Sequence, residues 1–219
     1  MLAMNLTAAA FGERLRGSRS ADGSLPMREI FKLGKEYAQL PPTEIEQLLD
    51  GATHEERVGA VSVMGHQAQR KQTTPDRLRE LYEIYLRRTD RIATWDLVDV
   101  SAHHVVGRYL FDKPRDVLYG LARSPLPQER RIAIFCTLHF LRHGQVDDTF
   151  ALAEILADDD HLMLASTTGG MLREAGKTDR ARLLDHLDRY AATAPRVLLR
   201  AAIEHLEPEQ RRHYLALGR

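Results

Sequence analysis

The segments HEERVGAVSVMG, RIATWDLVDVSA, QERRIAIFCTLH and LASTTGGMLREA superpose so that Ala60, Leu97, Ile134 and Met171 recur at intervals of about 37 residues, with Val61, Val98, Phe135 and Leu172 beside them. An apolar pair returning at a fixed period marks a unit that buries its face against the next unit, and a period near 40 with two helices is the signature of HEAT-like stacks. Helix starts are signposted throughout. Thr53-x-x-Glu56 has the capping-box pattern, and Thr74-Pro75, Leu126-Pro127 and Glu207-Pro208 place proline at a first turn. Breaks near Pro41-Pro42, Gly51, Pro114, Pro125 to Pro127, Gly144, Gly176 and Pro195 separate helices of roughly ten to eighteen residues, and no alternating strand pattern competes. The expected fold is all-α: a HEAT-like helical-repeat solenoid with a concave groove, forming a single domain over residues 26–219. Residues 1–25, rich in Ala, Gly and Ser, are expected to be an extension or a partial helix.

A chain of 219 residues with 43% apolar and 28% charged residues can bury a sizeable core. No run approaches the roughly 18 apolar residues of a membrane span, and MLAMNLTAAAFGERLRG lacks the basic and apolar regions of a secretory signal, so a cytoplasmic location is expected. The single Cys136 rules out an internal disulfide and a cysteine-built metal site. The formal net charge is zero, so any attraction to a polyanion must be local. Basic residues are mostly arginine, with lysine only at Lys32, Lys35, Lys71, Lys113 and Lys177. That preference suits bidentate phosphate contact, and it equally fits a GC-rich genome.

The one tryptophan, Trp95, stands four residues before Asp99, a spacing that stacks the two on one helix face. They read either as a half-buried aromatic with a salt-bridged acid or as a pair facing a groove. The repeat register favours the groove, setting Arg57, Thr94, Arg131 and Thr168 in one column with Asp99 and Arg173 nearby. Arg130 and Arg131 open an apolar helix whose dipole disfavours cations, and so call for an external anion such as phosphate or a carboxylate such as Asp99. Asp158, Asp159, Asp160 and His161 include metal-ligand types but read as a solvated turn with Asp160 capping the next helix. His103 and His104 lack a third ligand at a recognisable spacing, and Cys136 in its apolar helix reads as an inert core thiol. There is no Gly-rich phosphate loop after a strand and no GxSxG elbow.

From about residue 26 to residue 215 the chain resembles the AlkD-type alkylpurine DNA glycosylases of the DNA alkylation repair group. The resemblance is carried by TWDLVDVSAHHVVGRYL, RRIAIFCTLHFLRHG and GGMLREAGK in that order, together with the helix-pair repeat. It implies a monofunctional DNA glycosylase that hydrolyses the N-glycosidic bond of purines alkylated at N3 or N7, in double-stranded DNA, without metal or cofactor, as a monomer and away from membranes. It also implies that Trp95 and Asp99 approach the deoxyribose. By the same resemblance the concave groove binds DNA and Arg131 contacts the phosphate backbone, with Arg130 beside it and Arg173 supplying the second arginine. The family motif preceding LRE usually carries a tryptophan after its glycine; this chain has Gly170 there.

A cationic purine needs no protonating acid, so Asp99 would stabilise charge at C1′ and orient water. One such group is worth about 2.7 to 4 kcal/mol, an aromatic wall about 0.5 to 2. Lack of one indole should then slow the reaction by roughly tenfold to thirtyfold, and the space at Gly170 should admit adducts bulkier than methyl. Two other readings stay open: a non-catalytic member that binds unusual DNA structure, and a HEAT-type scaffold holding a peptide.

Overall fold

The computed structural model describes residues 5–217; these are helices joined by turns, with no strand among them. Contacts divide the chain between Tyr109 and Leu110 into two compact units. The first contains α1 (Ala8–Gly17), α2 (Met27–Glu36), α3 (Pro42–Leu49), α4 (His54–Gln69), α5 (Pro75–Arg87) and α6 (Trp95–Ala102). A π-helical turn at His103–Gly107 follows α6, and α7 (Arg108–Leu110) crosses the division. The second unit holds α8 (Asp116–Leu121), α9 (Pro127–Phe135), α10 (Thr137–Leu141), α11 (Asp147–Ile155), α12 (Leu162–Thr178), α13 (Arg180–Tyr190), α14 (Arg196–Ala202) and α15 (Pro208–Leu217). Ala60, Leu97, Ile134 and Met171 fall in α4, α6, α9 and α12, and all four are buried. The fold is an all-α, HEAT-like helical repeat. No described helix is long and apolar enough to cross a membrane.

The start signals act as their chemistry dictates. Thr53 and Glu56 form both halves of the capping box, and the Thr74 hydroxyl accepts the Arg77 amide ahead of Pro75. Gly144 lies at φ +76, a left-handed turn that glycine enters without penalty. Two expectations need correction. Gly176 does not break a helix: α12 runs through it to Thr178, and a Cβ there would overlap the Leu183 side chain of α13, so the glycine serves close approach. Asp160 does not cap α12 either, because that helix starts one residue later with His161 at the cap and Asp159 accepting the His161 amide at 2.9 Å.

In the first unit α4 is buried on nearly every side from Val58 to Met64. Its small residues are notches. The Phe11 ring of α1 fills the space where a Cβ of Gly59 would stand, and Ser62 meets Gly34 of α2 at backbone distance. Helix α1 within the first 25 residues is thereby part of this core, with Phe11 fully buried. In the second unit α12 and α14 pack most closely at Gly169, where a Cβ would overlap the Leu198 carbonyl and the Ala201 methyl; nothing lies within 4 Å of the corresponding position at Gly170.

The contrast predicts opposite signs for two neighbouring substitutions. Gly169→Ala should destabilise the protein by about 1–3 kcal/mol through forced displacement of α14. Gly170→Ala should stabilise it by about 0.5–1 kcal/mol, since alanine relieves the entropy cost of a mid-helix glycine and strikes nothing. Denaturant unfolding of both variants measures this.

His186 of α13 predicts a pH dependence. It is 3% exposed, between the rings of Phe150 and Tyr190, and burial, reinforced by Arg189, lowers its pKa to about 4. The unfolded chain therefore binds this proton more readily, so stability holds above pH ~6.5 and falls by up to about 3 kcal/mol as pH drops from ~6.5 to ~4. Unfolding titrations of His186→Leu should show a shallower loss across that window.

Candidate functional site

Helix α6 begins on Thr94, whose extended backbone turns the chain into Trp95 as the first helical residue. Trp95 and Asp99 are both half-buried and lie one turn apart on one face. The first turn is held by the residue between Trp95 and Leu97. Asp96 accepts the Thr94 hydroxyl at 2.6 Å and pairs at 2.7 Å with His54, the first residue of α4. Burial raises the Asp96 pKa, but the hydrogen bonds from Thr94 and His54 outweigh it and hold the carboxyl below its usual value. The pair ties the starts of α4 and α6 together and so fixes where Trp95 enters the fold.

Asp99 lines a cleft of about 390 Å³ within the first unit, together with Phe31 of α2, Ser62, His66 and Gln69 of α4, and His104 of the π-turn. Phe31 is 37% exposed at the rim of this cleft. His66 also lines an adjoining cleft of about 350 Å³ with Lys35, Gln69 and Arg70. Its pKa is lowered, chiefly by burial and also by Lys35, against a hydrogen bond to the Phe31 backbone that raises it. The π-turn packs His103 and His104 ring on ring at 3.7 Å. Such single wide turns recur at functional sites.

In the second unit the arginines marked from sequence are drawn inward. Arg130 pairs with Asp159 at 2.6 Å and donates to the Ser124 and Pro125 carbonyls, so a carboxylate of its own unit supplies the compensation that its place in α9 requires. Arg131 is 5% exposed and donates to the Thr167 hydroxyl and the Met163 carbonyl, with its guanidinium 5.7 Å from the Phe135 ring. Arg173 pairs with Glu204 and Glu174 and lines a cleft of about 340 Å³ with Lys177, Arg180 and His205. The column read through Arg57, Thr94, Arg131 and Thr168 is not uniformly solvent-facing: Thr94 is exposed and Arg57 half-buried, whereas Arg131 is buried and Thr168 is wholly buried, bonding the Leu164 carbonyl. Burial pushes the Cys136 thiol up, as expected of an inert core cysteine. Among the described residues no group of three His, Cys, Asp or Glu side chains stands together as a metal-ion site.

Sequence reasoning missed Phe31, His66, Gln69 and the His54–Asp96 pair. One signal was present, since His66 and His103 are separated by the same 37-residue interval as the core positions. No curated protein matches the chain. The family model described as DNA alkylation repair enzyme matches residues 24–206, which cover the cleft, the π-turn and all three motif segments. On that match across most of its length, the chain belongs to the DNA alkylation repair enzyme family.

Proposed function

We propose that the protein is a DNA glycosylase that hydrolyses the N-glycosidic bond of purines carrying an alkyl group at N3 or N7 in double-stranded DNA. The observation that carries this reading is Asp99, half-exposed in the wall of a cleft, one helical turn after the sole tryptophan. A purine alkylated at N3 or N7 is cationic and departs with the bonding electrons as a neutral base. Positive charge then gathers at C1′ of the sugar, and a fixed carboxylate at that point stabilises the transition state more than the ground state. Trp95 would pack against the sugar, the apolar face of its ring excluding water. Phosphate contact falls to Arg131 and Arg173, each of which exchanges an internal acceptor for a phosphate oxygen; Glu204, 55% exposed, is readily displaced from Arg173.

Gly170 supports a corollary. It leaves open space where the family motif places a tryptophan, and no packing demands the glycine. The protein should therefore release purines with adducts larger than methyl. Gly170→Trp should speed release of methylated purines by roughly tenfold to thirtyfold and slow release of bulky ones. A strict preference for methyl in the wild type would count against the corollary.

The central test is free base released from duplexes containing N7-methylguanine or N3-methyladenine. Asp99→Asn should lower release about 100- to 1,000-fold, corresponding to the loss of one preorganised electrostatic group, with DNA affinity retained. Absence of release from both proteins, with affinity that falls steeply with salt, would leave a non-catalytic reader of DNA structure, which Gly170 would also suit. Salt-insensitive binding would instead point to a protein scaffold.

A further inference from the structure

We infer that His66 is the proton acceptor of the hydrolysis, taking the proton from the water that attacks C1′ beside Asp99. The inference rests on the glycosylase reading and adds to it a second reacting group.

The reaction releases a proton for which such a group is a suited acceptor. When the C1′–N bond breaks, its electron pair goes to the purine and cancels the positive charge there. The water oxygen then forms its bond to C1′ and becomes acidic, and its proton must leave for an abasic sugar with a C1′ hydroxyl to result. Asp99 acts as a carboxylate while C1′ carries charge, and a second group can take the proton that becomes acidic once the O–C1′ bond forms. A neutral base beside it receives the proton as imidazolium and later yields it to solvent, leaving the carboxylate ionised throughout.

Only some of the cleft's side chains can play this part. Phe31, Ser62 and Gln69 are not bases at neutral pH. Lys35 and Arg70, in the adjoining cleft, are cations with no lone pair to offer. His104 lies tilted against the His103 ring with centroids 3.7 Å apart, so a proton on either ring would sit against the other. His66 belongs to both clefts and is half-buried. Burial and Lys35 lower its pKa against the raising effect of the Phe31 backbone, favouring the neutral ring, the state a base must occupy before it accepts a proton.

The charged and titratable groups around it are few. Lys35 stands on α2, Asp99 on α6, His103 and His104 on the π-turn, and Arg70 at the end of α4 itself. The remaining neighbours meet other faces of α4: Phe11 of α1 lies at Gly59, and Arg77 of α5 is engaged with Gln67 and the Leu40 carbonyl.

The experiment is single-turnover release of N7-methylguanine between about pH 5 and 8, with spontaneous depurination subtracted, for wild type, His66→Gln, His66→Ala and Asp99→Asn. Wild-type release should fall on the acid side, at a pH below the ordinary histidine value of ~6.5, where His66 becomes protonated. His66→Gln should be about 100-fold slower at neutral pH and lose that acidic limb while keeping wild-type DNA affinity and circular dichroism. Added imidazole should restore release to His66→Ala but not to Asp99→Asn. A His66→Gln protein with the wild-type rate or an unchanged acidic limb overturns the inference alone, as does failure of imidazole to act on a His66→Ala protein that still binds DNA. Wild type that releases no base overturns the glycosylase reading and this inference with it.

Discussion

Helix α4 has to be buried on almost every side and still contribute to an open cleft, and the first unit is organised around that constraint. A helix with apolar residues all round cannot rely on one amphipathic stripe, so its neighbours must approach from several directions at short range. Small residues make this feasible. Gly59 receives a phenyl ring, Ser62 abuts Gly34, and Gly65 stands against the Val100 carbonyl and the His104 ring. Where those approaches end, His66 and Gln69 are left on the side shared with Asp99. The cleft is the gap that remains once three helical segments are seated on one, and its position follows from where the small residues fall.

The arginines make a second theme. A chain with five lysines among 31 basic residues invites a phosphate-binding interpretation, yet many of its guanidinium groups satisfy the backbone. Arg91 donates to the Leu49 carbonyl at the end of α3 and, with Arg57, to Gly51. Arg70 reaches Ala38, Arg77 reaches Leu40, Arg108 reaches Ala68, and Arg115 holds the Leu110 and Phe111 carbonyls. The last carbonyls of a helix have no partner of their own, and a long planar donor from later in the same unit meets several of them without a capping residue. A repeat built of short helices has many such ends. Arginine content here is therefore partly a consequence of the architecture, and counting it says little about DNA.

The fold was legible because its information is periodic. Ala60, Leu97, Ile134 and Met171 declare the repeat, and the Thr53–Glu56 box and the proline first turns declare the helix starts, since each acts within one turn of chain. The cleft was legible only in part. Asp99 and Trp95 stand out as an acid and an indole on one apolar face, but Phe31 and His66 reach the cleft through packing of α2 on α4, which no local pattern records. The column through Arg131 and Thr168 was legible only in part for a related reason. Register fixes which residues share a helix face but not how deep each lies, so Thr94 is exposed at the repeat position where Arg131 and Thr168 are buried. Gly176 shows the converse, a glycine that sequence reads as a break and the fold uses for contact with Leu183.

Gly169 and Gly170 bring these threads together. They are adjacent in α12, yet one is enforced by the backbone of α14 and the other by nothing in the protein. A glycine inside a helix costs about 0.5–1 kcal/mol relative to alanine, and at Gly170 packing gives no return for it, which leaves the account to something outside the folded chain such as the site proposed here. Space for a ligand is such an explanation. The same reasoning separates His186 from His66: both are neutral through burial, but His186 lies sealed between Phe150 and Tyr190 and can affect only stability, whereas His66 opens on a cleft that also contains a carboxylate. Burial sets the protonation state of each ring, and access to the cleft decides which of them can use it for chemistry.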